Sequence, residues 1–108
     1  MVVNKLDATF AALADPTRRG MLADLMHGER TIGDLARPFP TSFENARKHV
    51  AILERAGLIE RRKAGRQQWC RLKAAPLAEA DQWLRQWESF WTASLDRLEA
   101  IIAEDREA

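Results

Sequence analysis

One cysteine and two histidines are all that these 108 residues hold of the side chains most used for metals and nucleophiles. Cys70 alone can make no intramolecular disulfide, and with His27 and His49 far from it in sequence there is no zinc-ligand spacing. No apolar run approaches the ~20 residues needed to cross a bilayer, and Met1-Val2-Val3 is too short for the apolar region of a leader. The expectation is a cytoplasmic protein with no membrane association. Catalysis needs a nucleophile with a positioned base, a metal, or paired carboxylates in a cleft. Cys70 and His49 are the nearest approach to such a set, and they lie on elements with no third partner and no anion-stabilising loop. No enzyme is expected, and no metal or cofactor. A chain of this length buries one modest core, so residues 1–108 read as a single domain stabilised by packing, with help from a partner chain. Cys70, on a strand, fits the role of a packed small hydrophobe, and His27, at a helix end, that of a boundary residue.

What the chain does have is charge in separate blocks. The net charge is only +1. Residues 1–40 carry five basic and five acidic groups, residues 41–75 nine basic against three acidic, and residues 76–108 three basic against eight acidic. A total near zero argues against a polyanion partner, yet nine cations inside thirty-five residues make the footprint expected of a nucleic-acid binder.

That block is one helix followed at once by a hairpin. Ser42 is a good N-cap, so the helix starts near Phe43. Phe43, Ala46, Val50 and Leu53, with Ala51 and Ile52 beside them, recur at three and four residue spacing and give a core stripe opposite Glu44, Arg47, Lys48, Glu54 and Arg55. Gly57 supplies the left-handed stop. Leu58 and Ile59 begin a strand, Ala64-Gly65 forms the tip, and Trp69, Cys70 and Leu72 return as the second strand.

Earlier in the chain, Leu6, Phe10, Ala11, Leu13 and Ala14 mark a short amphipathic helix. Asp15 caps a second, with Pro16 in its first turn and Met21, Leu22, Leu25 and Met26 facing inward until Gly28. Thr31 caps a third, short helix through Ile32, Leu35 and Ala36, with Asp34 in a weak capping box. Arg37-Pro38-Phe39-Pro40 cannot continue it. A short helix, a turn and a longer basic helix follow in the order of a helix-turn-helix, whose second helix presents its N-terminal residues to the major groove.

These residues resemble the ArsR-type winged-helix transcriptional regulators. The resemblance is carried by Leu13-Ala14-Asp15-Pro16-Thr17-Arg18-Arg19, by Thr31-Ile32-Gly33-Asp34-Leu35-Ala36, and by Lys48 through Ile59. Arg62 to Arg66 with Leu72 complete it. It covers most of the chain and implies a mainly α fold of about five helices with a β-hairpin wing. It also implies a homodimer that binds a partly palindromic DNA operator, usually as a repressor, and is released in many members by a ligand, metal or redox event. The inducer here, small molecule or protein, is not readable.

The family's recognition positions fall on Ser42, Phe43, Asn45, Ala46, Arg47, Lys48 and His49, within a helix spanning 42–56. By chemistry, Arg47 suits guanine or a phosphate, Asn45 adenine, and Lys48 a phosphate. Arg62, Lys63 and Arg66 of the wing, 58–72, would reach the backbone or minor groove. Many relatives have a small hydroxyl residue where this chain has Arg47 and a larger aliphatic where it has Ala46, so an operator sequence does not transfer. The metal-sensing branches are disfavoured: the third helix has no cysteine, and residues 76–108 have no histidine.

The last block reads as one long helix over 76–104. Leu77, Ala80, Leu84, Trp87, Trp91, Leu95, Leu98 and Ile102 form a seam near a 3.5 repeat, with Trp83 and Phe90 beside it. So wide a stripe exceeds what a small domain covers. Its expected partner is a second protomer, with Leu6 and Phe10 assigned to the same interface alongside Leu84, Trp87, Trp91, Leu95, Leu98 and Ile102. Two other readings remain open: a small-molecule pocket, and a winged-helix module that recruits another protein through this aromatic helix.

Overall fold

The computed structural model describes residues 4–107; residues 1–3 and 108 of the expected 1–108 span lie outside it. Local capping sets the first two helices. Asn4 accepts from the Leu6 amide at 2.9 Å to open α1, Lys5–Leu13. The Asp15 carboxylate accepts from the Arg18 amide at 3.0 Å, with Pro16 in the first turn of α2, Pro16–Leu25. Met21, Leu22 and Leu25 are buried, whereas Met26, expected inward, is 73% exposed because it lies past the last helical turn on the way to Gly28.

A two-residue strand that no residue pattern announces, β1 (Arg30–Thr31), comes next. Thr31 doubles as the cap of α3, Ile32–Ala36, accepting from the Asp34 amide at 3.1 Å. Ser42 does the same for α4, Phe43–Arg55, through the Asn45 amide at 3.1 Å. One face of α4 is fully buried at Ala46, Val50 and Leu53, but Phe43 and Ile52, expected on the core side, are exposed. A single helix presents one stripe to one core, and these two lie at its margins.

Gly57, at φ +78°, ends α4 and turns the chain into the hairpin of β2, Ile59–Ala64, and β3, Gln67–Leu72. Their antiparallel register runs from Ile59 opposite Leu72 to Ala64 opposite Gln67, and β1 adds to the free edge of β3, giving the order β1-β3-β2. The two-residue loop is Gly65-Arg66, one position later than expected. Gly65 has φ +64° and Arg66 has no positive φ, the pattern of a type II′ turn. Met21, Leu35, Val50, Leu53, Leu58 and Cys70 fill the core between the helices and the inner face of the sheet.

The expected single helix over 76–104 is two: α5, Ala75–Arg85, and α6, Glu88–Glu107. No glycine or proline marks the break. The chain tightens there, the Gln86 and Trp87 amides donating to carbonyls only three residues back, at Trp83 and Leu84. The same turn gathers aromatics, with Trp83 edge-on to Phe10 at 5.8 Å and tilted on Trp87 at 5.9 Å. The helix count among the described residues is therefore six, and the wing sheet there has three strands. α5 lies against α1, while α6 packs chiefly on α5 and stretches the molecule to 68 Å along its longest axis.

Candidate nucleic-acid interface

α3, the turn after it and α4 form a helix-turn-helix, and burial of Ala46, Val50 and Leu53 decides which face of α4 is left for solvent. Phe43, Glu44, Asn45, Arg47 and Lys48 are exposed on its first turns. Ser42 is exposed too, but its hydroxyl is already engaged in the cap. Arg47 lies 3.7 Å from Glu44, with both side chains more than half exposed. A pair of that kind holds its members weakly, so the guanidinium remains available to another acceptor.

His49 is placed differently. It is half-buried, its Nδ1 3.2 Å from an Arg18 guanidinium nitrogen and 3.9 Å from the Asp15 carboxylate. A guanidinium can only donate, so Nδ1 accepts and Nε2 carries the proton of the neutral ring. Arg18 also donates through Nε to the Ala12 carbonyl at 2.7 Å and through Nη2 to that of Ala11 at 3.0 Å, while Arg19 donates to Leu13 at 2.7 Å. The Ala12 and Leu13 carbonyls at the end of α1 are thereby satisfied, and that of Ala11, which already accepts from the Ala14 amide at 3.2 Å, gains a second donor. The Arg18 amide, helped by the Arg18 charge, holds the Asp15 carboxyl below its ordinary value against the cost of desolvation. Asp15 to Arg19 thus join α1, α2 and α4. Sequence reasoning found the cap and missed the two arginines, whose partners lie on other elements.

The wing sorts its cations by face. Paired residues of an antiparallel sheet share a face and neighbours along a strand alternate. Arg61 opposite Cys70 and Lys63 opposite Gln68 therefore belong to the inner side, and Glu60 opposite Arg71 and Arg62 opposite Trp69 to the outer. Arg61 pairs with Glu54 of α4 at 2.6 Å, and that hydrogen bond is the main reason the Glu54 carboxyl is held below its ordinary value. Arg71 and Lys73 both hold Glu60, Lys73 at 3.3 Å. Arg62 donates to both oxygens of Glu29, at 2.6 and 3.2 Å, with its guanidinium carbon 5.9 Å from the Trp69 ring centre. Lys48, Lys63 and Arg66 have no carboxylate within 4 Å among the described residues.

An open groove of about 400 Å³ separates α4 from the wing, with Phe43 and Arg47 on one side and Arg61, Arg66, Gln67 and Gln68 on the other. The structure therefore brings Phe43, Arg47 and Arg66 together, leaves Asn45, Lys48 and Lys63 exposed nearby in sequence, and turns His49 and Arg62 to intramolecular partners. Gln67 and Gln68 were not singled out, although an amide pair at the tip of a basic hairpin was a usable signal.

Away from this face, Leu84, Trp87, Trp91, Leu95, Leu98 and Ile102 are between 40% and 62% exposed, and Leu6 and Phe10 are half-buried. No group of three His, Cys, Asp or Glu side chains among the described residues is placed to hold a metal. No described helix is long and apolar enough to cross a membrane.

A short helix, a turn, an exposed polar helix face and a basic hairpin on a three-stranded sheet define a winged helix-turn-helix protein. Comparison with known proteins agrees: the helix-turn-helix domain family is matched over residues 13–62. The chain is 36% identical over 96 residues to the HTH-type transcriptional regulator Rv2034 of Mycobacterium tuberculosis, covering 89% of this chain and 87% of that one. It is 32% identical over 79 residues to the transcriptional repressor SdpR of Bacillus subtilis, covering 73% and 88%. The crystal structure of an ArsR family transcriptional regulator, RHA00566, superposes with a TM-score of 0.76 at 36% identity, covering 82% and 98%. The chain belongs to the ArsR family of winged helix-turn-helix transcriptional regulators.

Proposed function

We propose that the protein is a homodimeric, sequence-specific DNA-binding repressor, with α4 in the major groove and the wing on the adjacent backbone or minor groove. The observation that carries this reading is the exposed row Phe43, Asn45, Arg47 and Lys48 standing over a fully buried row on the same helix, beside a groove edged by Arg66. Asn45 and Arg47 have the chemistry to read adenine and guanine, Phe43 to meet a thymine methyl, and Lys48, Lys63 and Arg66 to neutralise phosphates. A relative named as a repressor supports the direction of regulation. The apolar stripe of α5 and α6 supports the dimer, because a solvated stripe of six large side chains is what a second copy would cover.

Selection of bound sites from a random duplex pool tests the reading. A two-fold motif recovered by a dimer is the expected result. Arg47→Ala should then cost about 1–3 kcal/mol on the selected site and little on random DNA. Lys63→Ala should weaken both alike and reduce the salt slope by about 0.9. Equal losses for Arg47→Ala on both duplexes would remove its base-reading role. The exposed Phe90 of α6 favours a second reading, a module that recruits another protein. A dimer that enriches no motif and binds DNA only at low salt would select it.

A further inference from the structure

Arg62 is the one wing cation whose side chain spans the whole outer face of the sheet. It starts on β2, passes over Trp69 of β3, and ends on Glu29, the residue before β1. Both guanidinium edges used are committed, Nε to one Glu29 oxygen at 3.2 Å and Nη2 to the other at 2.6 Å. Strand alternation puts it opposite the face that carries Lys63 and Arg61 and borders the groove against α4. Two-point contact with a carboxylate fixes orientation as well as position, and the hairpin has few other means of fixing its pitch. Its far half, from Arg62 to Gln68, is exposed throughout.

We infer that Glu29 and Arg62, with Trp69 between them, form a strap that sets the angle of the wing, so that Arg62 is a positioning residue and the DNA charges of the wing are Lys63 and Arg66. The inference rests on the DNA-reading proposed above. It takes Arg62 out of the set of direct contacts and brings in Glu29, an acidic residue 33 positions away that charge alone would never nominate for a DNA interface. A strap acts by holding the hairpin ready before DNA arrives, which reduces the ordering that binding must otherwise impose.

Binding of the full chain to a duplex carrying its selected site, followed by fluorescence anisotropy from low to near-physiological salt, separates the roles. The proteins compared are the wild type, Arg62→Ala, Arg62→Lys, Glu29→Gln, the Glu29→Gln/Arg62→Ala double variant and Lys63→Ala, each with its thermal midpoint measured. For a strap, Arg62→Ala and Glu29→Gln both weaken binding, on the order of threefold to tenfold, the scale of one surface ion pair and one stacked cation. The slope of log affinity against log salt stays at the wild-type value in both. The double variant is no weaker than the weaker single, and Arg62→Lys behaves like alanine because an ammonium cannot make the two-point contact. Lys63→Ala, by contrast, flattens the slope by about 0.9. A slope flattened by about 0.9 in Arg62→Ala would overturn the strap and make Arg62 a phosphate ligand. Tighter binding by Glu29→Gln would overturn it too, showing that Glu29 competes with DNA for the guanidinium. Unchanged affinity in both single variants would leave the wing angle independent of the pair. Failure of the wild type to bind in a salt-dependent way would fell the DNA-reading itself, and is seen before any variant is compared.

Discussion

Replacing Leu95 by alanine is expected to weaken self-association while leaving the fold of each protomer intact. Leu95 is 62% exposed on α6, a helix whose chief partner within the chain is α5. Full burial of a leucine side chain is worth about 1.5–3 kcal/mol. With 62% of the residue still in water, about 1–2 kcal/mol remains to be gained on association, most of it lost with the truncation to alanine. A two-fold interface counts every residue twice, so one substitution removes about 2–3 kcal/mol from the dimer, or roughly thirty- to 150-fold in its dissociation constant. Sedimentation equilibrium of wild type and variant over a range of concentrations measures this. Helicity and the urea midpoint of dilute, dissociated protein should hardly move, since no core contact is lost. Equal dissociation constants for the two proteins, or a wild type that stays monomeric at high concentration, would refute the reasoning.

Three further outcomes follow from contacts within the chain. Arg18→Ala should lower the unfolding free energy by roughly 1–3 kcal/mol, the cost of leaving helix-end carbonyls without charged donors, with Arg18→Lys recovering only part; a urea midpoint unchanged in both would contradict it. Burial pushes the Cys70 thiol up from 9.0 to about 11. The native protein at neutral pH should therefore react with a disulfide reagent only as fast as it unfolds. Since the folded thiol titrates above the unfolded one, its stabilisation is complete below pH 9.0 and is lost as pH rises towards about 11. Glu29, Glu54 and Glu60 are all held below the ordinary 4.5, each chiefly by an arginine hydrogen bond. Carboxyls lowered in the folded state stabilise it fully above the unfolded value and lose that contribution below it. Stability should hold from neutral pH to about 4.5 and fall beneath it, less steeply in Glu54→Gln; a curve that stays flat to about pH 3 would show the pairs to be inert.

Features set by neighbouring residues were legible in the sequence. Ser42, Asp15 and Thr31 act on amides three positions on, and all three cap the helices expected of them. The buried row Ala46, Val50 and Leu53 of α4 follows from spacing alone, whereas Phe43 and Ile52, which the same spacing gives to the core, are exposed at its margins. The break between α5 and α6 was not legible, because it comes from one tightened turn beside two tilted tryptophans and no glycine or proline announces it. Strand β1 has only two residues, too few for any alternation to show. The hardest features to read were the long-range pairings. Arg18 meets His49 across 31 positions and Arg62 meets Glu29 across 33, so the residues that orient the candidate site sit beside carriers of charge that look equivalent in the sequence. Composition says how many cations the block holds and nothing about which are spoken for.

Of the nine cations between Thr41 and Ala75, five (Arg47, Arg61, Arg62, Arg71 and Lys73) face a carboxylate of the same chain within 4 Å. Grip on arbitrary DNA scales with the phosphates a protein can neutralise, and here the four other than the weakly paired Arg47 are turned to partners within the chain. A regulator built this way would spend little of its time detained on the rest of a chromosome. On the DNA-reading proposed above, discrimination between sites would then rest on the base contacts, each mismatched pair costing about 1–3 kcal/mol.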